Sequence, residues 1–342
     1  RMGTMVLRAR LTPQVAATRK AVRQLISDLT PGTTILVAVS GGADSLALAS
    51  AANFEGRKLK LNVAAVIIDH GLQLGSDKVA KKAKSRCESL GIEQVVIEKV
   101  TVRQSGDGLE AQARESRYKG IEKVRSKLGA SWVLLGHNLN DQAETVLLGL
   151  ARGSGLRSIA AMAKIDPDRK LLRPFLDISS ADLRKACKDQ GIEYWNDPHN
   201  KDDRFLRVKV RKLAENLEKT LGPGFAAALA KTAEIARESD EALSLLAKEL
   251  AVKARAKSTA SKAQFDIEPL RSAPAALRRK AIHQICLEAG AKNLSRAQVL
   301  QIEQLITAWK GQKSSVISGI TVERVANQLV VTRRRNPGAT CS

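Results

Sequence analysis

The sequence predicts an α/β protein: a doubly wound, mostly parallel sheet, then a second, mainly helical domain ending in a small β-hairpin. Three observations predict it. Short, wholly apolar runs alternate with amphipathic segments through the first 150 residues, the pattern of a sheet covered by helices on both faces. Three of those runs stop at polar clusters, Ser40 to Ser45, Asp69-His70 and His137 to Glu144. After residue 165 the pattern changes: Pro167, Pro174 and Pro198 punctuate shorter elements, and a long Ala-rich stretch follows.

The elements follow in order. Val15, Val22, Leu25, Ile26 and Leu29 place a helix over 13–29. Ile35 to Val39 is a buried strand bounded by Pro31-Gly32 and Gly41-Gly42, and a helix begins near Leu46. Leu61 to Asp69 is a second strand, 76–90 a helix stopped by Gly91, and Val95 to Val100 a third strand. A long helix over 109–128 ends at Gly129, Trp132 to Leu135 is a fourth strand, and helix returns over 140–152. Residues 179–190 form a small helix capped by Ser179 or Ser180. One long helix spans 223–256, and a stretch weak in order signals covers 257–264. Helices near 274–289 and 295–309 lead to strands near 315–319 and 328–333. We read residues 1–217 as the catalytic domain and 218–342 as a basic, helical accessory domain.

Composition narrows the function. Lys and Arg number 57 against 35 Asp and Glu, a net charge of +22 spread over both halves of the chain. A solvated basic surface is the plain reading; a polyanionic partner, nucleic acid ahead of membrane, is the sharper one. The four cysteines lie far apart with no C-x-x-C pair, which argues against a cysteine-rich zinc site and a disulfide scaffold. No apolar run approaches the length of a membrane span and the start lacks the apolar core of a signal peptide, so the cytoplasm is the expected location.

The strand ends carry the chemistry. In an open parallel sheet, ligands bind at the carboxyl ends of the strands. Ser40-Gly41-Gly42-Ala43-Asp44-Ser45 joins an apolar strand to a helix. Its glycines let backbone N–H groups face outward, the helix directs its positive end at the same spot, and Ser40 and Ser45 add hydroxyls. That is a cradle for phosphate, and Asp44 suits it if Mg²⁺ accompanies the phosphates. The plainer reading is a tight turn with Asp44 or Ser45 capping the helix. If helix extends back to residue 137, then His137, Asp141 and Glu144 fall at i, i+4 and i+7 on one face. An imidazole and two carboxylates there suit a cation, a substrate amine or proton transfer; the plainer reading is a polar helix cap with Asn140 or Asp141 at its start and Glu144 as the N3 partner. Asp69 and His70 repeat the placement of Ser40 at the next strand end. Arg204, Arg207, Lys209, Arg211 and Lys212 put five cations in nine residues, with Arg204, Arg207 and Arg211 on one face if helical. Arg278-Arg279-Lys280 and Arg333-Arg334-Arg335 are further basic patches.

The Ser40–Ser45 loop resembles the SGGxDS loop of the N-type ATP pyrophosphatases, the PP-loop superfamily. The stretch GHNLNDQAETVLLGLARGSGLRSIAAM at 136–162, DHGLQ at 69–73 and RPFLDISSADLRKACKDQGIEYWNDPHNKDDRFLRVKVR at 173–211 resemble the tRNA(Ile)-lysidine synthetases. That resemblance covers the first domain almost end to end and continues more weakly into the second. It implies a ligase that adenylates the C2 oxygen of the wobble cytidine in a CAU-anticodon tRNA(Ile) with ATP. A lysine side-chain amine then displaces AMP, giving lysidine. It further implies that Ser40, Gly41, Gly42, Ala43, Asp44, Ser45, Asp69 and His70 hold ATP, with Asp44 on Mg²⁺. Asp44, His137, Asp141 and Glu144 would be catalytic, with Asp141 and Glu144 orienting the lysine ammonium. Arg114, Arg204, Arg207, Lys209 and Arg211 would meet the tRNA. The chain departs from the family pattern at Gln73, where Arg is frequent, at Asn138, where a second His is frequent, and at Val208 within an R-N-R-I-R pattern. Two alternatives stay open at this level: a tRNA thiolation enzyme of the same superfamily, and a non-catalytic tRNA-binding protein. The oligomeric state, a homodimer included, is not legible.

Overall fold

A computed structural model describes residues 11–71, 75–101, 109–153, 155–195, 206–259, 261–317 and 319–334. Contacts divide the chain into two units, Arg1–Ile235 and Ala236–Ser342.

The first unit opens with α1 (Pro13–Ile26), started by the Thr12 hydroxyl, which accepts from Val15 N, and by Pro13 in the first turn. Then come β1 (Thr34–Ala38), α2 (Ala43–Lys58), β2 (Asn62–Asp69), α3 (Ser76–Ser89), β3 (Gln94–Lys99), α4 (Leu109–Lys127), β4 (Trp132–Leu134) and α5 (Leu139–Ala151). The short elements α6 (Gly155–Ile159), β5 (Ile165–Asp166), β6 (Leu171–Leu172) and α7 (Ser180–Asp189) follow, and then α8 (Leu206–Leu221). Helix α9 (Phe225–Ala254) contains the division between the units.

The sheet order is β3-β2-β1-β4-β6-β5, parallel except for the edge strand β5. Leu36 of β1 sits opposite Ala64 of β2 and Val133 of β4. Alternation along β1 divides the core. Ile35 and Val37 pack with Val22 and Ile26 of α1, Leu46 of α2, Ala83 of α3 and Leu183 of α7. Leu36 faces the other way, with Ile121 and Val124 of α4. The sheet is doubly wound, as expected. The chain leaves β1 for β2 on one side and returns to β4 on the other, so the strand order reverses between β1 and β4. That reversal opens a crevice at their carboxyl ends.

Gly149 of α5 lies so close to α6 that an added Cβ would overlap the Ser158 carbonyl. Gly149→Ala is therefore expected to lower the thermal midpoint by several degrees in a melting experiment.

The second unit carries β7 (Arg255–Ser258), β8 (Lys262–Asp266), α10 (Ile267–Ser272), α11 (Ala275–Glu288), α12 (Arg296–Thr307), β9 (Ser315–Ile317), β10 (Ile320–Val325) and β11 (Gln328–Arg333). The strands expected near 315–319 and 328–333 are β9 and β11, but they do not pair with each other. Strand β10, which the sequence did not reveal, lies between them and forms the hairpin with β11, inside a five-stranded antiparallel sheet, β7-β8-β11-β10-β9. Ile282, Ile285, Ile302 and Leu305 pack with Val322 and Leu329 in its core. Residues 257–264, read as weakly ordered, supply parts of two of those strands. All of β7 is exposed, and β8 fully buries only Phe265, so neither shows an apolar alternation. The Arg278-Arg279-Lys280 patch is also corrected. Arg278 and Arg279 both bind the buried Glu303 carboxylate and Lys280 binds Asp240, so these cations serve the unit's interior. Among the described residues no helix is long and apolar enough to cross a membrane.

Candidate active site

The loop after β1 is braced from within. Ser45 Oγ donates to Gly42 O at 2.9 Å and accepts from Ser40 N at 3.1 Å; its side chain is buried. The Ser40 and Ser45 hydroxyls lie 3.2 Å apart. Gly41 has φ +87°, a conformation that favours glycine, and its carbonyl accepts from Trp195 N at 2.9 Å. Gly42 is the N-cap of α2 and no side chain caps that end. The capping role considered for Asp44 or Ser45 is therefore not taken up, and the first-turn amides face the crevice with the positive end of a 16-residue helix behind them. Ser45 was expected to serve as a donor to phosphate; here its hydroxyl shapes the loop.

Gly136, just past β4, brings the third strand end against this loop. A Cβ on it would stand 3.2 Å from the Asp44 backbone carbonyl. Gly136→Ala should push the start of α2 by a few tenths of an ångström. The expected result is an apparent KM for ATP raised about tenfold with the thermal midpoint nearly unchanged, read from ATP titrations of the reaction proposed below.

His137 is not helical. It extends from the strand end, and Asn138 is the N-cap of α5. Asn138 Oδ1 accepts from Asp141 N at 3.1 Å and Asp141 Oδ2 accepts from Asn138 N at 2.9 Å, a reciprocal capping box that starts before Asn140 and Asp141, the caps considered from sequence. Asn138 Nδ2 donates to Asp44 Oδ2 at 3.0 Å. The residue that departs from the family pattern thus ties the phosphate loop to α5. Burial, then the Asp141 charge, push the Asp44 carboxyl up to about 6.

Glu144 lies one turn further along α5, 2% exposed. Its Oε1 accepts from Arg211 Nε of α8 at 2.6 Å, while its Oε2 has no hydrogen-bond partner. Burial raises the Glu144 pKa above the usual carboxylate value, and Arg211 partly offsets that. Arg211, expected to meet RNA, therefore holds a buried carboxylate. Arg207 stands one turn before it on α8, and its charge acts on both Glu144 and His137. Lys209 points to solvent and Val208 is buried. Arg204 and Gln73 lie outside the described residues.

At the end of β2, Asp69 is buried and its Oδ1 accepts from Gly71 N at 3.1 Å. The Nδ1 atoms of His70 and His137 are sealed from solvent without partners. Burial and the Arg117 charge lower the pKa of both imidazoles, which stay neutral at pH 7. Arg114 of α4 reaches Tyr118 Oη at 3.5 Å. Cys87, Cys187 and Cys286 are buried and unpaired, and burial pushes each thiol up to about 12, away from the thiolate a nucleophile needs.

The structure brings together the loop, Asp44, Asp141, Glu144 and Arg211. The roles of Asn138, Arg117 and Arg173 were missed. Arg173 directly follows the two-residue strand β6, a strand-end position that no periodicity reveals.

Comparison with known proteins agrees with this geometry. A PP-loop domain family matches residues 14–217 and a TilS substrate binding domain matches 265–330. The tRNA(Ile)-lysidine synthase of Leifsonia xyli is 43% identical over 298 residues, covering 86% of this chain and 89% of that protein. The tRNA(Ile)-lysidine synthase of Nocardia farcinica is 44% identical over 320 residues, 93% of this chain and 95% of its own. Among solved structures, a U34-tRNA thiolase from Methanococcus maripaludis with its 4Fe-4S cluster aligns at TM-score 0.55 and 21% identity, over 65% of this chain and 78% of that one, a likeness of fold. Both domain families are matched in order and the identity extends over most of the chain: it belongs to the tRNA(Ile)-lysidine synthase family.

Proposed function

We infer that the protein joins L-lysine to C2 of the wobble cytidine of tRNA(Ile) with a CAU anticodon, consuming ATP and releasing AMP and pyrophosphate. Beyond family membership, one observation carries this reading: a buried carboxylate, Glu144, with an unpartnered oxygen, held on the same helix as Asp141 beside an open phosphate cradle.

The first-turn amides of α2 and the Ser40–Ser45 loop bind the ATP phosphates. The cytidine C2 oxygen attacks the α-phosphorus and pyrophosphate leaves. Among the described residues no group of three His, Cys, Asp or Glu side chains forms a metal cage. A single carboxylate, Asp44, fits Mg²⁺, which is held through few protein ligands together with phosphates. When bound, Mg²⁺ would offset the charge that develops on the phosphates. Glu144 Oε2 and Asp141 receive the lysine side-chain ammonium, and the raised pKa of Glu144 suits it to accept the proton. The free amine forms the bond to C2, and the C2–oxygen bond breaks as AMP leaves. Arg114, Arg204, Arg207 and Lys209 meet the tRNA, with residues 1–217 as the catalytic domain and 218–342 as the accessory domain. Asp69 and His70 border the nucleotide. The reading puts the protein in the cytoplasm, where its substrates are, and makes no demand for a second copy of the chain.

The test uses ATP labelled at the α-phosphate, with tRNA(Ile) and no lysine. Label should pass to the tRNA and return as AMP when lysine is added. Transfer that lysine does not discharge would contradict the second step and favour a different nucleophile.

A further inference from the structure

A group of guanidiniums surrounds His137 on the α4 side of the crevice. Arg114 and Arg117 come from α4, and Arg173 comes from the end of β6. Arg114 and Arg117 lie 5.3 and 5.8 Å from the Tyr118 ring centre, and the exposed Arg169 lies at 4.2 Å. Arg173 is 4% exposed; its Nη1 donates to Ala163 O at 2.9 Å and its Nη2 lies 3.6 Å from the Asp166 carboxylate. Its Nε is buried with no partner, and so is Arg117 Nε. A buried N–H of a cation is costly to leave unsatisfied, and two of them on one cluster point to a missing acceptor.

We propose that Arg117 and Arg173, with Arg114, form a phosphate-binding site separate from the Ser40–Ser45 loop. It takes a phosphate group on the far wall of the crevice. The proposal rests on the reading that nucleotide and RNA meet at these strand ends. The field there agrees with it: burial pushes the Tyr118 phenol up, yet the Arg114 and Arg117 charges bring it net below the usual tyrosine value. Arg173 faces the Asp166 carboxylate while Arg114, Arg117 and Arg169 gather about Tyr118, a concentration of positive charge that suits a phosphate better than a monoanionic carboxylate ligand. The series also runs from buried Arg173 out to exposed Arg169, which suits successive phosphates of a polynucleotide. The phosphate's source is either the RNA backbone or the β,γ end of ATP, and RNA is the expected one.

The experiment compares wild type with Arg117→Gln, Arg173→Gln and Arg117→Lys, each checked for folding by thermal melting. Arg173 is buried, so Arg117 carries the test if Arg173→Gln does not fold. Affinity for tRNA(Ile) is measured at several salt concentrations, together with the KM values for ATP and lysine. With RNA as the source, Arg117→Gln weakens tRNA binding about tenfold and lowers the salt slope by about one. With ATP as the source, the KM for ATP rises about tenfold instead. Arg117→Lys should recover part of either loss. Unchanged tRNA affinity and ATP KM in folded Arg117→Gln, or a change in lysine KM alone, would overturn the site. If wild type fails to incorporate lysine while Arg117→Gln still weakens tRNA binding, the site stands and the functional reading fails.

Discussion

Asp44→Asn is expected to reduce lysine incorporation by about a hundredfold or more and, at the same time, to raise the thermal midpoint of the unliganded protein. The loss follows from removing the one carboxylate that the phosphate loop offers to a phosphate-bound cation. The gain follows from electrostatics. The Asp44 pKa is raised to about 6, by burial first and the Asp141 charge second. A carboxyl with a raised folded-state pKa binds more protons folded than unfolded between about 4 and 6. Its penalty therefore grows as pH rises through that window and is complete above it. The shift corresponds to a cost of up to about 3 kcal/mol at neutral pH, less what solvent relieves. Asparagine removes that cost, so the variant should melt a few degrees higher at pH 7.5. The advantage should shrink toward half at pH 5. A variant that melts lower than wild type at pH 7.5 would contradict the assigned burial of this charge. A binding site built at the expense of stability is the general expectation where function needs a charge in a dry place.

Arg211→Ala is the second large effect. Glu144 is 2% exposed, and its recorded partner among the described residues is the Arg211 guanidinium at 2.6 Å. Removing one member of a buried ion pair leaves the other charge uncompensated, at about 3–5 kcal/mol, and the 39% exposure of Arg211 argues for the lower end. The expected outcome is a midpoint lowered by several degrees and a lysine KM raised at least tenfold. Glu144→Gln should cost less stability, because the neutral amide needs no counter-charge, while abolishing the proton acceptor. The double variant should be more stable than the sum of the two losses. Additive losses in that cycle would show that the pair is not coupled.

How much of this was legible in the chain depends on how far each residue's partner lies along it. The parallel sheet was readable because Ile35 to Val39 is apolar on both faces and punctuated by glycine at its end. Strands β5 and β6 have two residues each, too few for any period, so Arg173 could not be recognised as a strand-end residue. Strand β7 is exposed throughout, with Ala256 as its one apolar residue, and exists through its pairing with β8. At the site, the loop and the Asp141–Glu144 pair were readable because their chemistry is local. The Asn138–Asp44 bond spans 94 positions and the Arg211–Glu144 pair spans 67, so composition and spacing were silent on both. Arg278 and Arg279 look the same in sequence as a solvated basic patch; only the buried Glu303, 24 to 25 positions away, gives them an internal role.

The most direct measurement is incorporation of radiolabelled lysine into tRNA(Ile) with a CAU anticodon, with and without ATP, using tRNA(Met) as the control. ATP-dependent label in tRNA(Ile), absent from tRNA(Met), is the predicted result. Folded protein that binds tRNA(Ile) and consumes ATP, yet transfers no lysine, would contradict the account.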